Sequence, residues 1–371
     1  MRILFTGGGT GGHFFPLIAI SREIRRVAEE ERVLDVQLFY MGPVDGREKD
    51  LAREEIRFYG ISAGKMRRYA SFKNFSDTVK VIIGVLQAAW RLFFIMPDVI
   101  FSKGGFGAFP VLCIARLYRI PVVIHESDAV PGVVNHWSSA FARRIAVSFE
   151  SAAKFFPPEK TAVTGSPIRT RILGGNIQDA KKEFSIMTDD PILFFVSGSQ
   201  GSKKINEVLL DALSNLVKKY EVIHQTGLNN FEQVKGESSV ILERLHKEKY
   251  HPVGFLHEGA LRQAFFLADL IVSRASSTIF EIAAVEKPSI LVPLEGSAQD
   301  HQRVNAYEYA KAGACRVIEE QNLTPHLLLA EIEQLFENPD RMSEMRKAAQ
   351  RFSAVNASEV VAREIIKIGL H

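Results

Sequence analysis

The first thirteen residues constrain this chain more than any other stretch. Arg2-Ile3-Leu4-Phe5-Thr6 is an apolar run of strand length, and Gly7-Gly8-Gly9-Thr10-Gly11-Gly12 follows, five glycines and a threonine in six positions, ending at His13. Phe14 to Ile20 reads as the opening of a helix, with Pro16 suited to a first turn, where a missing N–H is no loss. Strand, glycine turn and helix form the first unit of a doubly wound nucleotide-binding fold. Without side chains, the backbone N–H groups of such a loop approach an anion or a sugar closely, at the positive end of a helix. The stretch is neither a Walker A loop nor a clean Gly-x-Gly-x-x-Gly with an acid about twenty residues on. A tight turn that needs glycine dihedrals leaves the same trace. His13 adds a titratable side chain at the loop's exit.

At 371 residues the chain has room for two domains, and 46% apolar with 24% charged residues is ordinary for a soluble globular protein. A formal net charge of +3 gives no argument for nucleic acid. The only two cysteines, Cys113 and Cys315, lie in apolar segments, so a disulfide framework is not expected and a reducing compartment fits. The amino terminus reads without a signal peptide, because glycines follow the short apolar core at once.

Strand-like and helix-like segments alternate. Candidate strands are Val36–Met41, Val99–Ser102, Val122–His125, Arg144–Val147 and Ala162–Thr164, then Ile192–Val196, Tyr220–Gln225, Leu270–Ser273, Ser289–Val292 and Cys315–Ile318. Candidate helices include Phe75–Phe94 and Ala108–Tyr118, and the tail from Met342 to His371 is helical in pattern. Such alternation predicts an α/β protein with parallel sheets covered by helices on both faces. A pause at Thr164-Gly165-Ser166-Pro167 divides two Rossmann-like halves, expected to face each other across a cleft.

From Lys65 to Arg91 there are six basic residues and one acid, Asp77, interleaved with apolar and aromatic residues that run on to Met96. Charged and polar interruptions argue against a transmembrane span. The pattern fits either a surface lying on anionic lipid or a core helix with a solvated end.

Further polar clusters fall at strand ends, where α/β ligand sites lie. A second glycine turn is Ser102-Lys103-Gly104-Gly105-Phe106-Gly107, and a third is Ser197-Gly198-Ser199-Gln200-Gly201-Ser202, leading to a helix with Asn206. His125-Glu126-Ser127-Asp128, with Asn135 beyond it, is either a ligand site or a salt-bridged loop. Ser273-Arg274-Ala275-Ser276-Ser277-Thr278 precedes a helix containing Glu281, a carboxylate that either holds two ribose hydroxyls or steadies the helix N-terminus. Gln302 and Asn305 share a helical face after His301. There is no Asp-x-Asp, no His-Glu-x-x-His and no Cys-x-x-Cys, so no metal site is expected. A diphosphate would be met by loop amides, helix N-termini and an arginine such as Arg169.

Taken in order, these motifs resemble the MurG family, the N-acetylglucosaminyltransferases of peptidoglycan synthesis. The resemblance rests on Gly8 to His13, Lys103 to Phe106, His125-Glu126, Gly165 to Arg169, Gly198 to Gly201, Ser273-Arg274-Ala275 with Glu281, and His301-Gln302 with Asn305. It implies a GT-B fold, with an acceptor and membrane-associating domain over 1–164, a UDP-sugar domain over 165–345, and a last helix, 346–371, returning to the first domain. It implies inverting transfer of GlcNAc from UDP-GlcNAc to the C4 hydroxyl of the muramoyl sugar of lipid I. The product is lipid II, made at the cytoplasmic face of the membrane for cell-wall growth and division, without a cofactor and without a metal at the donor diphosphate. It also gives the segment from Lys65 to Met96 a role as a peripheral contact to an anionic bilayer.

By matching position, Glu281 is implied as the ribose carboxylate, Ser199, Gln200 and Arg169 as neighbours of the donor diphosphate, and Gly201 and Asn206 as further donor-site residues. Arg274, Ser277, Thr278, His301, Gln302 and Asn305 complete the implied donor site, with the backbone of Leu256 reading uracil. His13, Thr10, Gly11, Gly12, Gly104, Gly105, Phe106, His125, Glu126, Asp128 and Asn135 are implied on the acceptor side. His13 is the first candidate for the base that deprotonates the acceptor hydroxyl, its ordinary pKa lying near neutrality, and Glu126 is the second. The chain departs from the family in having Ser127-Asp128 where Gln-Asn is usual, an Arg274 loop one residue short, and Ser166, Ser197, Ser202 and Ser276 at positions of other small or polar residues. Two other functions remain open on the residues: a GT-B UDP-sugar transferase with a different acceptor, and a UDP-GlcNAc epimerase.

Overall fold

The computed structural model describes residues 1–8, 11–44, 46, 48–64, 72–198 and 200–370, with the backbone alone for residues 11–13 and 72–76. The chain divides into two compact units, Met1–Ile168 with Ala354–His371, and Arg169–Ser353.

The first unit is built on a seven-stranded sheet of β1 (Arg2–Thr6), β2 (Gln37–Gly42), β3 (Arg57–Gly60), β4 (Val99–Ser102), β5 (Val122–Glu126), β6 (Arg144–Val147) and β7 (Thr161–Val163), in the order β3-β2-β1-β4-β5-β6-β7. The second has six strands, β8 (Ile192–Val196), β9 (Glu221–Gln225), β10 (Tyr250–Val253), β11 (Leu270–Ser273), β12 (Ser289–Leu291) and β13 (Cys315–Val317), in the order β10-β9-β8-β11-β12-β13. Every pairing in both is parallel. Both sheets carry the Rossmann order and reverse direction once, between β1 and β4 and between β8 and β11. Those two reversals are where the three glycine loops and the Arg274 loop fall.

The central strands are buried on both faces, which is why they read as unbroken apolar runs. In β8, Leu193 and Phe195 face one core with the helices Lys203–Leu216 and Pro325–Phe336, while Ile192, Phe194 and Val196 face the other. There Phe194 meets Phe265 edge-on, ring centroids 5.4 Å apart. In β1, Ile3 and Phe5 pack with the helix Gly11–Glu30 and with Val361, Ala362, Ile365 and Ile366 of the helix Ala357–Gly369.

Three expectations change. The helix begins at Gly11, so Pro16 lies inside it and removes the N–H that would reach the Gly12 carbonyl, rather than sitting in the first turn. The tail is two helices, Pro339–Phe352 in the second unit and Ala357–Gly369 in the first, because Phe352 packs on Tyr309 at 4.8 Å in one core while Ile365 and Ile366 fill another. The strands β3 and β10 are additions to the strands legible in the sequence: each is the outermost strand of its sheet, half-exposed and therefore weakly apolar, and Pro252 is tolerated in β10 because an edge strand has unpaired N–H positions.

Candidate active site

In the first unit, polar groups gather where β4 and β5 end. Lys103 is fully buried directly after β4, its N–H donating to the Thr6 carbonyl at 3.0 Å. Its Nζ lies 2.6 Å from His125 Nδ1 and donates to Ser127 Oγ. His125 Nε2 sits 3.1 Å from the Gly165 carbonyl, an acceptor only, so Nε2 carries the proton and Nδ1 accepts from Lys103. Burial lowers the Lys103 ammonium to about 8, against the opposing pull of Glu126 and Asp128.

Glu126 turns into its own loop. Oε1 accepts from the Asp128 N–H at 3.0 Å, and Oε2 accepts from the Gly132 N–H at 2.9 Å and Asn135 Nδ2 at 3.0 Å. Burial, with Asp128 beside it, pushes its carboxyl above the usual range, and these three donors pull it back. Asn135 also donates to the His125 carbonyl at 3.1 Å, while its buried Oδ1 has no partner among the described residues. Gly104 sits against that oxygen with φ +72°, where a Cβ would come within 2.5 Å of it, so glycine is required on two counts. Gly105, Phe106 and Asp128 form the half-exposed rim. Thr10 lies outside the described residues, as do the side chain of His13 and everything about Gly11 and Gly12 beyond their backbone.

In the second unit, Arg169 and Glu281 are paired, Nε and Nη2 of the arginine at 2.9 and 2.7 Å from Oε1. The loop after β8 is threaded tightly: Gly201 has φ +73°, and a Cβ there would fall 2.0 Å from the Thr226 carbonyl. Ser199 lies outside the described residues; Gln200 is exposed beside it. Ser277, Thr278, His301 and Gln302 are half-exposed. His301 Nδ1 donates to the Ala298 carbonyl at 2.7 Å, and Gln302 Oε1 accepts from the Leu294 N–H at 3.0 Å. Gln299 and Asp300, immediately before that helix, hold φ of +57° and +55°.

Three of the expected residues turn inward instead of toward this surface. Arg274 donates to Ser202 Oγ at 2.7 Å and pairs with Glu320, tying the loop after β11 to the one after β8. Asn305 is buried, with Nδ2 on the Ala275 carbonyl at 3.2 Å. Asn206 spends its amide on the Thr226 carbonyl and on His224 Nε2, both at 3.0 Å. Burial lowers His224 to about 3, so it is neutral, with Nε2 donating to Asn206 and Nδ1 accepting from Tyr250 at 2.8 Å.

Gln225 was missed: it donates to the Gly198 carbonyl at 2.8 Å and accepts from the Leu256 N–H at 3.0 Å. The signal was present in Gln225-Thr226-Gly227, a polar end on an apolar strand. Among the described residues, no group of three His, Cys, Asp or Glu stands close enough to hold a metal ion.

The first unit also carries an apolar face. The helix Phe72–Ile95 buries Ala88, Leu92 and Ile95, and packs on the helix Phe109–Tyr118. Its other side exposes Ile82, Ile83, Leu86, Trp90, Phe93 and Phe94, with Met96 just beyond, and Trp90 is 69% exposed. Trp90, Phe93 and Phe94 form one aromatic cluster, with centroids 4.8 and 5.4 Å apart. By length and composition Asp77–Ile95 is apolar enough to cross a membrane, with a mean hydropathy of 1.6. Lys65 to Ser71 lie outside the described residues.

The glycosyltransferase family 28 N-terminal domain matches residues 3–147, and the family's C-terminal domain matches residues 192–361. A Bacillus cereus protein named UDP-N-acetylglucosamine--N-acetylmuramyl-(pentapeptide) pyrophosphoryl-undecaprenol N-acetylglucosamine transferase 2 is 36% identical, covering 98% of this chain and 99% of its own. A Clostridium botulinum transferase of the same description is 35% identical, over 98% of this chain and 99% of its own. Among solved structures, Acinetobacter baumannii MurG aligns over 99% of both chains with a TM-score of 0.73 and 25% identity. A Neisseria meningitidis UDP-GlcNAc 2-epimerase aligns over 99% of this chain and 100% of its own, with a TM-score of 0.71 but 16% identity. Transferases and epimerases therefore share this fold, and the backbone does not separate them. The full-length sequence match does, and by it the chain belongs to the MurG family of glycosyltransferase family 28.

Proposed function

We propose that this enzyme moves GlcNAc from UDP-GlcNAc to the C4 hydroxyl of the MurNAc of undecaprenyl-diphospho-MurNAc-pentapeptide, lipid I, to form lipid II, with inversion at the anomeric carbon. The observation that carries this is the 36% identity, over 98% of the chain, to a transferase whose name states that donor, that acceptor and the transfer of N-acetylglucosamine. The second unit takes the donor. Glu281 holds the ribose, and Arg169, paired with it through Nε and Nη2, serves the diphosphate together with Gln200, Gly201, Ser199, Ser277 and Thr278. Gln302 and His301 address the donor sugar, and Leu256 meets uracil. Arg274, Asn206 and Asn305 hold the loops on which those groups stand.

The first unit takes the acceptor. Gly104, Gly105, Phe106, Asp128 and Asn135, whose Oδ1 has no partner among the described residues, serve the acceptor, as do Thr10, Gly11 and Gly12 of the first loop. His13 accepts the proton of the attacking hydroxyl as UDP departs. Glu126 is better supported as the organiser of its loop than as that base, since three N–H donors already occupy its oxygens.

Because the acceptor is a polyprenyl lipid, the exposed face of Phe72–Ile95 has a use: it lies on the cytoplasmic face of the membrane with its aromatic residues at headgroup level. A helix with one side in a protein core cannot be surrounded by lipid, so lying on the bilayer suits it better than spanning. The test is an assay with radiolabelled UDP-GlcNAc and a lipid I analogue beside a no-acceptor control. Label in a lipid-linked disaccharide is the expected result. UDP binding with no transfer would mean a different acceptor.

A further inference from the structure

Lys103 is a fully buried cation that no step above uses. Its strand, β4, lies between β1 and β5, so the residue that follows it meets both neighbours. Toward β1, its N–H donates to the Thr6 carbonyl at 3.0 Å, and a side chain on Gly7 would come within 3.3 Å of its Cβ. Toward β5, its Nζ reaches His125 Nδ1 at 2.6 Å and Ser127 Oγ. Glu126 and Asp128 flank that serine. Among the described residues they are the charged groups that act on the ammonium, opposing the cost of its burial, and Thr6 and Gly7 bring no charge.

The attraction is mutual: carboxylates that keep a buried cation charged are kept charged by it in turn. Glu126 depends on this. Ionised, its two oxygens accept from three donors, the N–H groups of Asp128 and Gly132 and Asn135 Nδ2. Protonated, one oxygen becomes a hydroxyl, a donor and a poorer acceptor, facing at least one N–H that needs a partner. The loop from Glu126 to Asn135 would then lose part of what fixes it. That includes one of the two bonds that orient Asn135, the residue lying over Gly104.

We propose that Lys103 is a positioning residue for the acceptor. As the buried counter-ion of Glu126, it keeps the loop from Glu126 to Asn135 in the shape that receives the acceptor sugar and diphosphate. The proposal rests on the first unit being the acceptor side.

The experiment uses the full chain, Lys103→Met, Lys103→Gln, Glu126→Gln and the double variant Lys103→Met with Glu126→Gln, each checked for folding by thermal melting. The Glu126 carboxyl is titrated by NMR of chain labelled with carboxyl-enriched glutamate, its resonance being the one missing from Glu126→Gln. Steady-state transfer from UDP-GlcNAc to a lipid I analogue gives KM for each substrate. Lys103→Met should move the Glu126 titration upward by about one pH unit or more. It should raise the acceptor KM roughly tenfold, with the donor KM within two- or threefold. Lys103→Gln keeps a hydrogen-bond donor in that place without the charge, so it should shift the titration equally. Glu126→Gln should damage the parent more than it damages Lys103→Met, where no buried cation is left unpaired. A Glu126 titration that stays in place in both Lys103 variants overturns the proposal, since packing or hydrogen bonding alone would then explain the residue. An acceptor KM that stays within twofold despite the shift overturns it too, as does a donor KM that rises in step. A parent that binds UDP but transfers to no lipid I analogue removes the acceptor reading and the proposal with it, even where NMR shows the two side chains coupled.

Discussion

Both inward N–H groups of Arg169, Nε and Nη2, point at one oxygen of Glu281, Oε1, at 2.9 and 2.7 Å. The two side chains are 7% and 14% exposed, so removing either leaves a largely desolvated charge behind. Glu281→Gln should weaken UDP-GlcNAc binding on the order of tenfold, through a charge-assisted hydrogen bond to ribose reduced to a neutral one. It should also destabilise the fold by about 2 kcal/mol. Combined with Arg169→Met, the loss in stability should be well short of additive. Urea unfolding of the single and double variants reads the stability term, and UDP titration reads the other.

His13 is the base proposed for the acceptor hydroxyl, and donor binding is proposed for the other unit. Replacing it with alanine should lower turnover by about 100-fold or more while UDP-GlcNAc binding stays within a factor of two or three. Turnover within a few-fold of the parent would remove His13 as the base.

His224 makes stability depend on acidity. Its folded value of about 3 lies below the ordinary 6.5, so between those values the unfolded chain binds the extra proton and stability falls as pH falls. Above about 6.5 the neutral form prevails in both states and the contribution is complete. Between pH 7 and pH 5 the parent should lose about 2 kcal/mol on this account, and His224→Gln should lose that much less over the same interval. Urea midpoints at the two pH values measure the difference.

The aromatic cluster on Phe72–Ile95 should set membrane affinity without touching chemistry. Trp90→Ala with Phe94→Ala should reduce partitioning onto anionic vesicles roughly tenfold or more, from the apolar area withdrawn. Turnover of a short-chain, water-soluble acceptor should be unchanged. Sedimentation with vesicles and the soluble assay read the two effects separately.

Gly201 admits no side chain. With φ +73° and a projected Cβ 2.0 Å from the Thr226 carbonyl, Gly201→Ala must move one loop or the other. A loss of about 2 kcal/mol in stability and a marked loss of UDP affinity are expected, whereas Gly198→Ala, with open space around it, should suffer only from its φ.

Features of this protein that depend on local pattern can be read from the residues alone. Val99–Ser102, Ile192–Val196 and Leu270–Ser273 are legible to the residue, because strands buried on both faces run apolar almost to their ends. The glycine loops were legible because a positive φ or a close backbone approach leaves few other choices, as at Gly104 and Gly201. The family was legible from the order of its motifs. The rest follows from how the strands and loops pack together. That Asn206 and Asn305 face inward, that Arg274 is a strut between loops, and that Lys103 and Gln225 join distant turns all depend on which strand lies beside which. The edge strands β3 and β10 escaped for the same reason: half-exposed, they draw their stability from a neighbour's hydrogen bonds rather than from an apolar signature of their own.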